Sequence, residues 1–263
     1  MTTYSARIFF HGIFIICSVF FVAKTQAATL SLYDPLTTTL SPALWNETER
    51  VRAIYDGQLH IAQMSWGETT DNVQATFHNF NQDFANPASL VGIQATVTVA
   101  DAIVPKCAAN TTFSGSSQAR VLGTFFNAGI PRMGSHYGDV IAVTQVVRAS
   151  NSSDATGVFQ VKGALVLCSS NDCNESLEIG RINLGTLNVT KPGTIGILWN
   201  KSAKSFAFSY NSNVQYITYT QNDSKLPSSQ FKRLSTRVQI PSCTAGAVAG
   251  GINSLWKNAK VYK

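Results

Sequence analysis

From residue 92 onward, apolar and polar positions alternate in short runs, and the period of two is that of a strand with one buried face. Residues 92–99, 139–148, 157–168, 195–199 and 206–210 are rich in β-branched and aromatic side chains and bounded by Gly, Asn, Ser or Pro, so each predicts a strand. In Phe206-Ala207-Phe208-Ser209-Tyr210 the aromatics share one face and the small residues the other, which marks the first face for a core. Asn200-Lys201-Ser202-Ala203-Lys204 and Asn211-Ser212-Asn213 have turn composition and predict hairpin connections on either side of that strand. No amphipathic helix is legible, and Ala85-Asn86-Pro87 breaks the one ambiguous stretch. Many closely spaced strands without crossover helices predict an all-β antiparallel sandwich in place of βαβ units.

The N-terminus departs from this pattern. Arg7 precedes an apolar run over residues 8–23, and Thr25 and Ala27 are the small residues of a cleavage site, which predicts a signal peptide over residues 1–27. The run carries His11 and Gly12 and falls short of the about 20 apolar residues of a membrane anchor. No later segment is apolar enough to span a bilayer. The expected product is therefore one domain, residues 28–263, secreted or periplasmic. Cleavage removes Cys17 and leaves Cys107, Cys168, Cys173 and Cys243, an even set that reads as disulfides in an exported chain. Four cysteines allow three pairings. Cys168 and Cys173 flank a polar turn, so a local bridge between them is easy and leaves Cys107 for Cys243. A zinc site is the rival, but there is no Cys-x-x-Cys, and His60, His78 and His136 are remote from the cysteines in sequence.

Composition narrows the function classes. With 44% hydrophobic and 13% charged residues the chain is not disordered. The net charge of +6 comes without a Lys/Arg block, which argues against nucleic acid as a partner. Residues 28–189 hold 8 Lys/Arg and 13 Asp/Glu, whereas residues 190–263 hold 10 Lys/Arg and one acid, Asp223. Such asymmetry can accompany an anionic partner, but a sandwich interleaves early and late strands, and the expectation is that the two signs mix on the surface.

Several segments carry a resemblance. Residues 32–36 (Leu-Tyr-Asp-Pro-Leu), 40–45 (Leu-Ser-Pro-Ala-Leu-Trp) and 56–59 (Asp-Gly-Gln-Leu) are similar to the first strands of the concanavalin A-like lectin/glucanase superfamily. So are residues 184–187, 192–199 and 206–210 and the closing strand at 252–262. Phe125-Phe126-Asn127, the span from Cys168 to Cys173, Phe231-Lys232-Arg233-Leu234 and Ser242-Cys243 further resemble a bacterial exported group of this type. The resemblance covers nearly all of residues 28–263 and implies a jelly-roll sandwich of two curved antiparallel sheets. Its motifs are structural, so it implies far less about chemistry.

Hydrolases of that superfamily place Glu-x-Asp-x-x-Glu on one strand, and this motif is missing. Glu175 and Glu178 have an odd offset, which sends them to opposite faces of a strand. Glu47 and Glu49 have the right parity, but Arg50 and Arg52 are at hand for ion pairs, and both carboxylates are read as surface charges. Gly-x-Ser-x-Gly, His-Glu-x-x-His and phosphate-loop patterns are also missing, so no catalytic residue is assigned. For calcium, Asp34 with Asn253 and Asn258 would be the oxygen donors near the terminal strands, and an acid is lacking on the last strand. No metal or other cofactor is assigned.

Sugar binding needs an aromatic plate with convergent polar groups. Trp199 shares a strand face with Ile195 and Ile197, Trp45 and Trp256 sit in the terminal motifs, and all three read as packing residues, while Trp66 is a candidate plate. The connection after Phe125-Phe126-Asn127 is long for a hairpin and brings Arg132, His136, Tyr137 and Asp139 close in sequence. Arg120, Gln160 and Lys162 are the polar residues that would extend a groove from it along a concave sheet. The leading expectation is a noncatalytic glycan-binding module acting on a glycan or cell-surface polysaccharide; a structural or adhesive envelope protein and a glycoside hydrolase are the alternatives.

Overall fold

The computed structural model describes residues 30–34, 45–46 and 52–263. The signal peptide expected over residues 1–27 and the carboxylates Glu47 and Glu49 lie outside the described residues. The first sheet contains β1 (Leu30–Asp34), β3 (Arg52–Tyr55), β4 (Gln58–Trp66), β6 (Gly92–Ile103), β11 (Pro192–Asn200), β12 (Ser205–Tyr210), β13 (Asn213–Thr218) and β15 (Ala249–Tyr262). The second contains β2 (Trp45–Asn46), β5 (Ala75–Phe84), β7 (Ser116–Asn127), β8 (Asp139–Ala149), β9 (Val158–Cys168), β10 (Ser176–Asn188) and β14 (Lys232–Pro241). Among the described residues the helical content is one 3-10 turn, Pro87–Ser89.

Among the described residues every pairing is antiparallel, in the orders β13-β12-β11-β6-β15-β4-β3 and β10-β9-β8-β7-β14-β5-β2, with β1 on the C-terminal half of β15. The chain crosses repeatedly between sheets, so β14 joins β7 and β5 across more than a hundred residues of sequence. This is the all-β jelly-roll sandwich that the strand pattern and the resemblance predict, and all five strands read from periodicity are present. Both hairpin readings hold as well: β11 pairs β12, and β12 pairs β13.

The core lies between the sheets. Ile93, Ala95 and Val97 alternate with exposed or half-buried neighbours along β6, and Ala119 and Val121, Val140 and Ala142, Phe159 and Val161 face them from β7, β8 and β9. Phe206 and Phe208 are fully buried, as the face of alternating aromatics requires, and so is Trp256. Trp199 packs against Phe126 with its ring centre 5.6 Å away, which makes it a packing residue. Thr144 faces inward too, and its hydroxyl donates to the carbonyl of Gly196 in the opposite sheet at 2.9 Å, so this buried polar group is satisfied. A bulge in β15 places Asn258 at φ 53 and lets Ala259 and Val261 regain the core side.

Two disulfides join Cys107 to Cys243 and Cys168 to Cys173, the pairing expected from spacing, with Cα separations of 5.7 and 4.8 Å. The long-range bridge ties the β6–β7 connection to the chain just after β14. Asn110 strengthens the same junction by donating to the carbonyls of Gln74 and Ser242.

Candidate functional site

The side of the second sheet that faces away from the core carries polar residues in register. Cross-strand pairing runs Asn183, Lys162, Gln145, Arg120, Ser235, Asn81 through β10, β9, β8, β7, β14 and β5, one residue per strand in a single row. The next row holds Gln160, Val147, Gln118, Arg237 and Asn79, and the row on the other flank ends in Leu122, Arg233 and Asp83. A strand alternates its faces, so Leu234, Thr236 and Val238 of β14 pack inward while Arg233, Ser235 and Arg237 are presented on this outer face.

The floor of this face is deep. Arg120 is 5% exposed, and its Nη2 donates to Asn79 Oδ1 at 2.7 Å and to Ser235 Oγ at 2.9 Å, leaving Nε without a partner. Arg237 Nε donates to the same Asn79 oxygen at 2.9 Å, and its guanidinium lies 4.9 Å from the centre of the exposed Phe77 ring. One neutral amide oxygen thus serves two guanidinium groups. Burial, with the charges of Arg237 and Arg233 added, destabilises the charged form of Arg120, and burial pushes Arg237 down to about 10. Arg233 differs, since its Nε and Nη2 meet the two oxygens of Asp83 at 2.8 and 3.2 Å in a bidentate pair. Burial raises the pKa of Asp83, and the Arg233 charge opposes that shift.

The loop expected to converge with Arg120 sits elsewhere on the same face. Asp139 and Gln145 are six residues apart on β8, about 20 Å at a strand rise near 3.3 Å per residue. Arg132, His136, Tyr137 and Asp139 therefore do not form one compact pocket with Arg120, Gln160 and Lys162. They stand at one end of an extended face whose spine is β14: the His136 ring is 5.9 Å from Phe231, Arg233 lies 3.8 Å over Phe231, and Ser235 and Arg237 follow.

Within the loop the roles divide. Asp139 is fully buried, and its carboxylate accepts from Asn127 Nδ2 at 2.8 Å, Ser228 N at 2.7 Å and Ser229 N at 3.1 Å, with His136 Nδ1 at 3.4 Å. That carboxylate is committed to holding the loop together and is not directed at a ligand. Gly138 adopts φ 81, and a side chain there would press on the amide of Asn127, so this corner needs glycine. Tyr137 is half exposed with the Arg132 guanidinium 5.9 Å from its ring centre, and Arg132 is itself exposed. Gln160 donates to Asp154 at 3.0 Å, and Lys162 is half-buried in the Arg120 row. Trp66 ends β4 on the outer side of the first sheet, 65% exposed, and joins neither group. For the calcium donors, Asn253 and Asn258 lie five residues apart on β15, and the Asp34 side chain lies outside the described residues.

Arg233, Arg237, Asn79 and Phe77 are not among the candidate binding residues that the sequence indicates. The alternation Arg233, Ser235, Arg237 against Leu234, Thr236, Val238 is a strand signal that would have found the arginines. The interleaving of early and late strands sets Arg233 of the basic C-terminal part against Asp83 of the acidic part, and Arg237 beside Arg120.

No protein-family model matches the chain, and no curated protein matches it. Among solved structures, the chain is similar to LamAcat from Zobellia galactanivorans at 11% identity and a TM-score of 0.43, over 89% of this chain and 98% of that one. It is similar to the beta-porphyranase BpGH16B of the human gut bacterium Bacteroides plebeius at 10% identity and a TM-score of 0.41, over 90% and 92%. A third is the VIP36 exoplasmic/lumenal domain in its Ca2+/Man3GlcNAc-bound form, at 8% identity and a TM-score of 0.42, over 86% and 87%. At these identities and scores no residue role and no activity passes to this chain, and the sandwich rests on its own strand pairing.

Proposed function

We propose that this is an exported glycan-binding protein that holds an acidic polysaccharide along the outer face of the second sheet without cleaving it. One observation carries the reading: Arg120 and Arg237 are buried or half-buried side by side, share a neutral oxygen and have no carboxylate within ion-pair distance among the described residues. Buried cations are ordinarily paired, so two left on neutral acceptors form a place for an anion brought from outside. Arginine suits the carboxylate or sulfate group of an acidic sugar because its planar fork donates twice. Phe77 offers a ring face at one end of the row and Tyr137 another near the loop, and the span between them accommodates several sugar units. Asp83, bound at both oxygens by Arg233, is poorly placed to act as one of the two free carboxylates that glycoside hydrolysis needs. The two disulfides favour an oxidising compartment. No helix among the described residues is long and apolar enough to cross a membrane.

Affinity electrophoresis and calorimetry against polygalacturonate, heparin and a neutral glucan test this. The expected result is binding to the acidic polymers that weakens with salt, with Arg120→Met and Arg237→Met each losing about tenfold or more in affinity. Neither variant should melt lower, since an apolar side chain of similar volume tolerates the buried site. Equal binding to the neutral glucan, or full affinity in both variants, overturns the anionic reading. Accumulation of new chain ends in the polymer overturns the noncatalytic one.

A further inference from the structure

The inner side of β14 carries a second feature that the groove does not use. Where β14 begins, between the two sheets, lies a cavity of about 110 Å3 whose walls include Phe125, Trp199 and Lys232. Lys232 is 3% exposed, its Nζ donates to the carbonyl oxygen of Thr124 and lies 4.1 Å from the centre of the Phe125 ring. No carboxylate comes within ion-pair distance of it among the described residues. The chain makes room for this arrangement at Gly123, its cross-strand partner, where any side chain would collide with the lysine stem. Burial alone pushes the Lys232 amine down to about 7, the mark of an ammonium taken from water without a counter-ion.

The remaining walls define what would fit. Lys201 and Lys225 add two ammonium groups against one carboxylate, Asp223. Asp223 already accepts from the Tyr219 hydroxyl at 2.7 Å, and that hydroxyl accepts from Trp199 Nε1 at 2.8 Å. The indole N–H is thereby spent, and Trp199 and Phe125 supply apolar surface. The volume is below the roughly 150 Å3 of an engineered apolar cavity that takes benzene, which limits the occupant to a few heavy atoms.

We propose that this cavity binds a small aliphatic carboxylate of about two to four carbons, with its head on the Lys232 ammonium and its hydrocarbon end against the wall formed by Phe125 and Trp199. A carboxylate supplies the missing counter-ion and accepts the N–H groups of Lys232 that Thr124 does not use. Phosphate offers no apolar end for the ring walls.

Calorimetry at pH 6 with butyrate, and with butyramide as its uncharged isostere, tests the site on the intact protein. Saturable one-to-one binding of butyrate is expected, at least about tenfold tighter than that of butyramide. Lys232→Met should lose at least the same factor while melting no lower, because an apolar residue replaces an unpaired buried charge. Arg120→Met, on the opposite face of the sheet, should bind butyrate as the parent does, which separates this site from the polysaccharide groove. Absence of butyrate binding, equal affinity for butyramide, or undiminished binding in Lys232→Met overturns the proposal. The comparison of the two isosteres on the parent protein decides the matter even if the Lys232 variant fails to fold.

Discussion

Replacing Cys107 and Cys243 together by serine is expected to lower the unfolding free energy by about 5 kcal/mol, whereas the same change at Cys168 and Cys173 costs about 2 kcal/mol. The difference follows from the lengths of chain that the bridges close, with sequence separations of 136 and 5. A crosslink acts mainly by restricting the unfolded ensemble, and the restriction grows with the logarithm of the loop. The long bridge also anchors a junction that is otherwise held by hydrogen bonds: Cys243 N donates to the Glu68 carbonyl at 2.9 Å and Thr244 N to Asn72 Oδ1 at 2.9 Å. Urea denaturation of the two double variants measures both values. Equal losses, or a larger loss at the short bridge, would show that native contacts at these sites outweigh loop entropy.

The second large effect is expected at Asp139, where substitution by alanine should cost about 4 kcal/mol. Three N–H donors point at its carboxylate; truncation leaves the backbone N–H groups of Ser228 and Ser229 facing a buried void, while Asn127 Nδ2 keeps the Tyr137 carbonyl and the Ser228 hydroxyl. Ser228 and Ser229 belong to the segment that leads into β14, so the loss spreads from the 128–138 loop to the start of the strand that forms the spine of the groove. Asp139→Asn should recover part of the stability, since one oxygen remains, though its amide N–H groups then meet other donors. Equilibrium unfolding of the two variants checks this, and a loss below about 1 kcal/mol for alanine would mean that water enters and satisfies the donors.

Local pattern was sufficient for the strands and insufficient for the site, and both outcomes have the same cause. The alternation in residues 92–99 or 206–210 fixes which side chains face a core, and burial of Ile93, Ala95, Phe206 and Phe208 follows from it. The Arg120 row depends instead on β7 lying between β8 and β14. Half of that neighbourhood is set by a pairing between residues 115 positions apart, Arg120 and Ser235, which no local window contains. The residues around the 128–138 loop show the converse: Arg132, His136, Tyr137 and Asp139 lie close in sequence and point to a shared target, yet the Asp139 carboxylate is taken up by three neighbouring donors. The cysteines were legible because a span of five residues around a polar turn leaves little freedom in pairing.

The shared oxygen of Asn79 has a consequence for how the two arginines act. Because Arg120 and Arg237 share the Asn79 oxygen and repel one another, they form one thermodynamic unit rather than two contacts in series. Neutralising either guanidinium, by substitution or by an arriving acid group, frees the whole amide oxygen for the other and removes the repulsion between them. The effects of changing both residues are therefore not the sum of changing each, and a polymer that satisfies the first arginine alters the terms on which it meets the second.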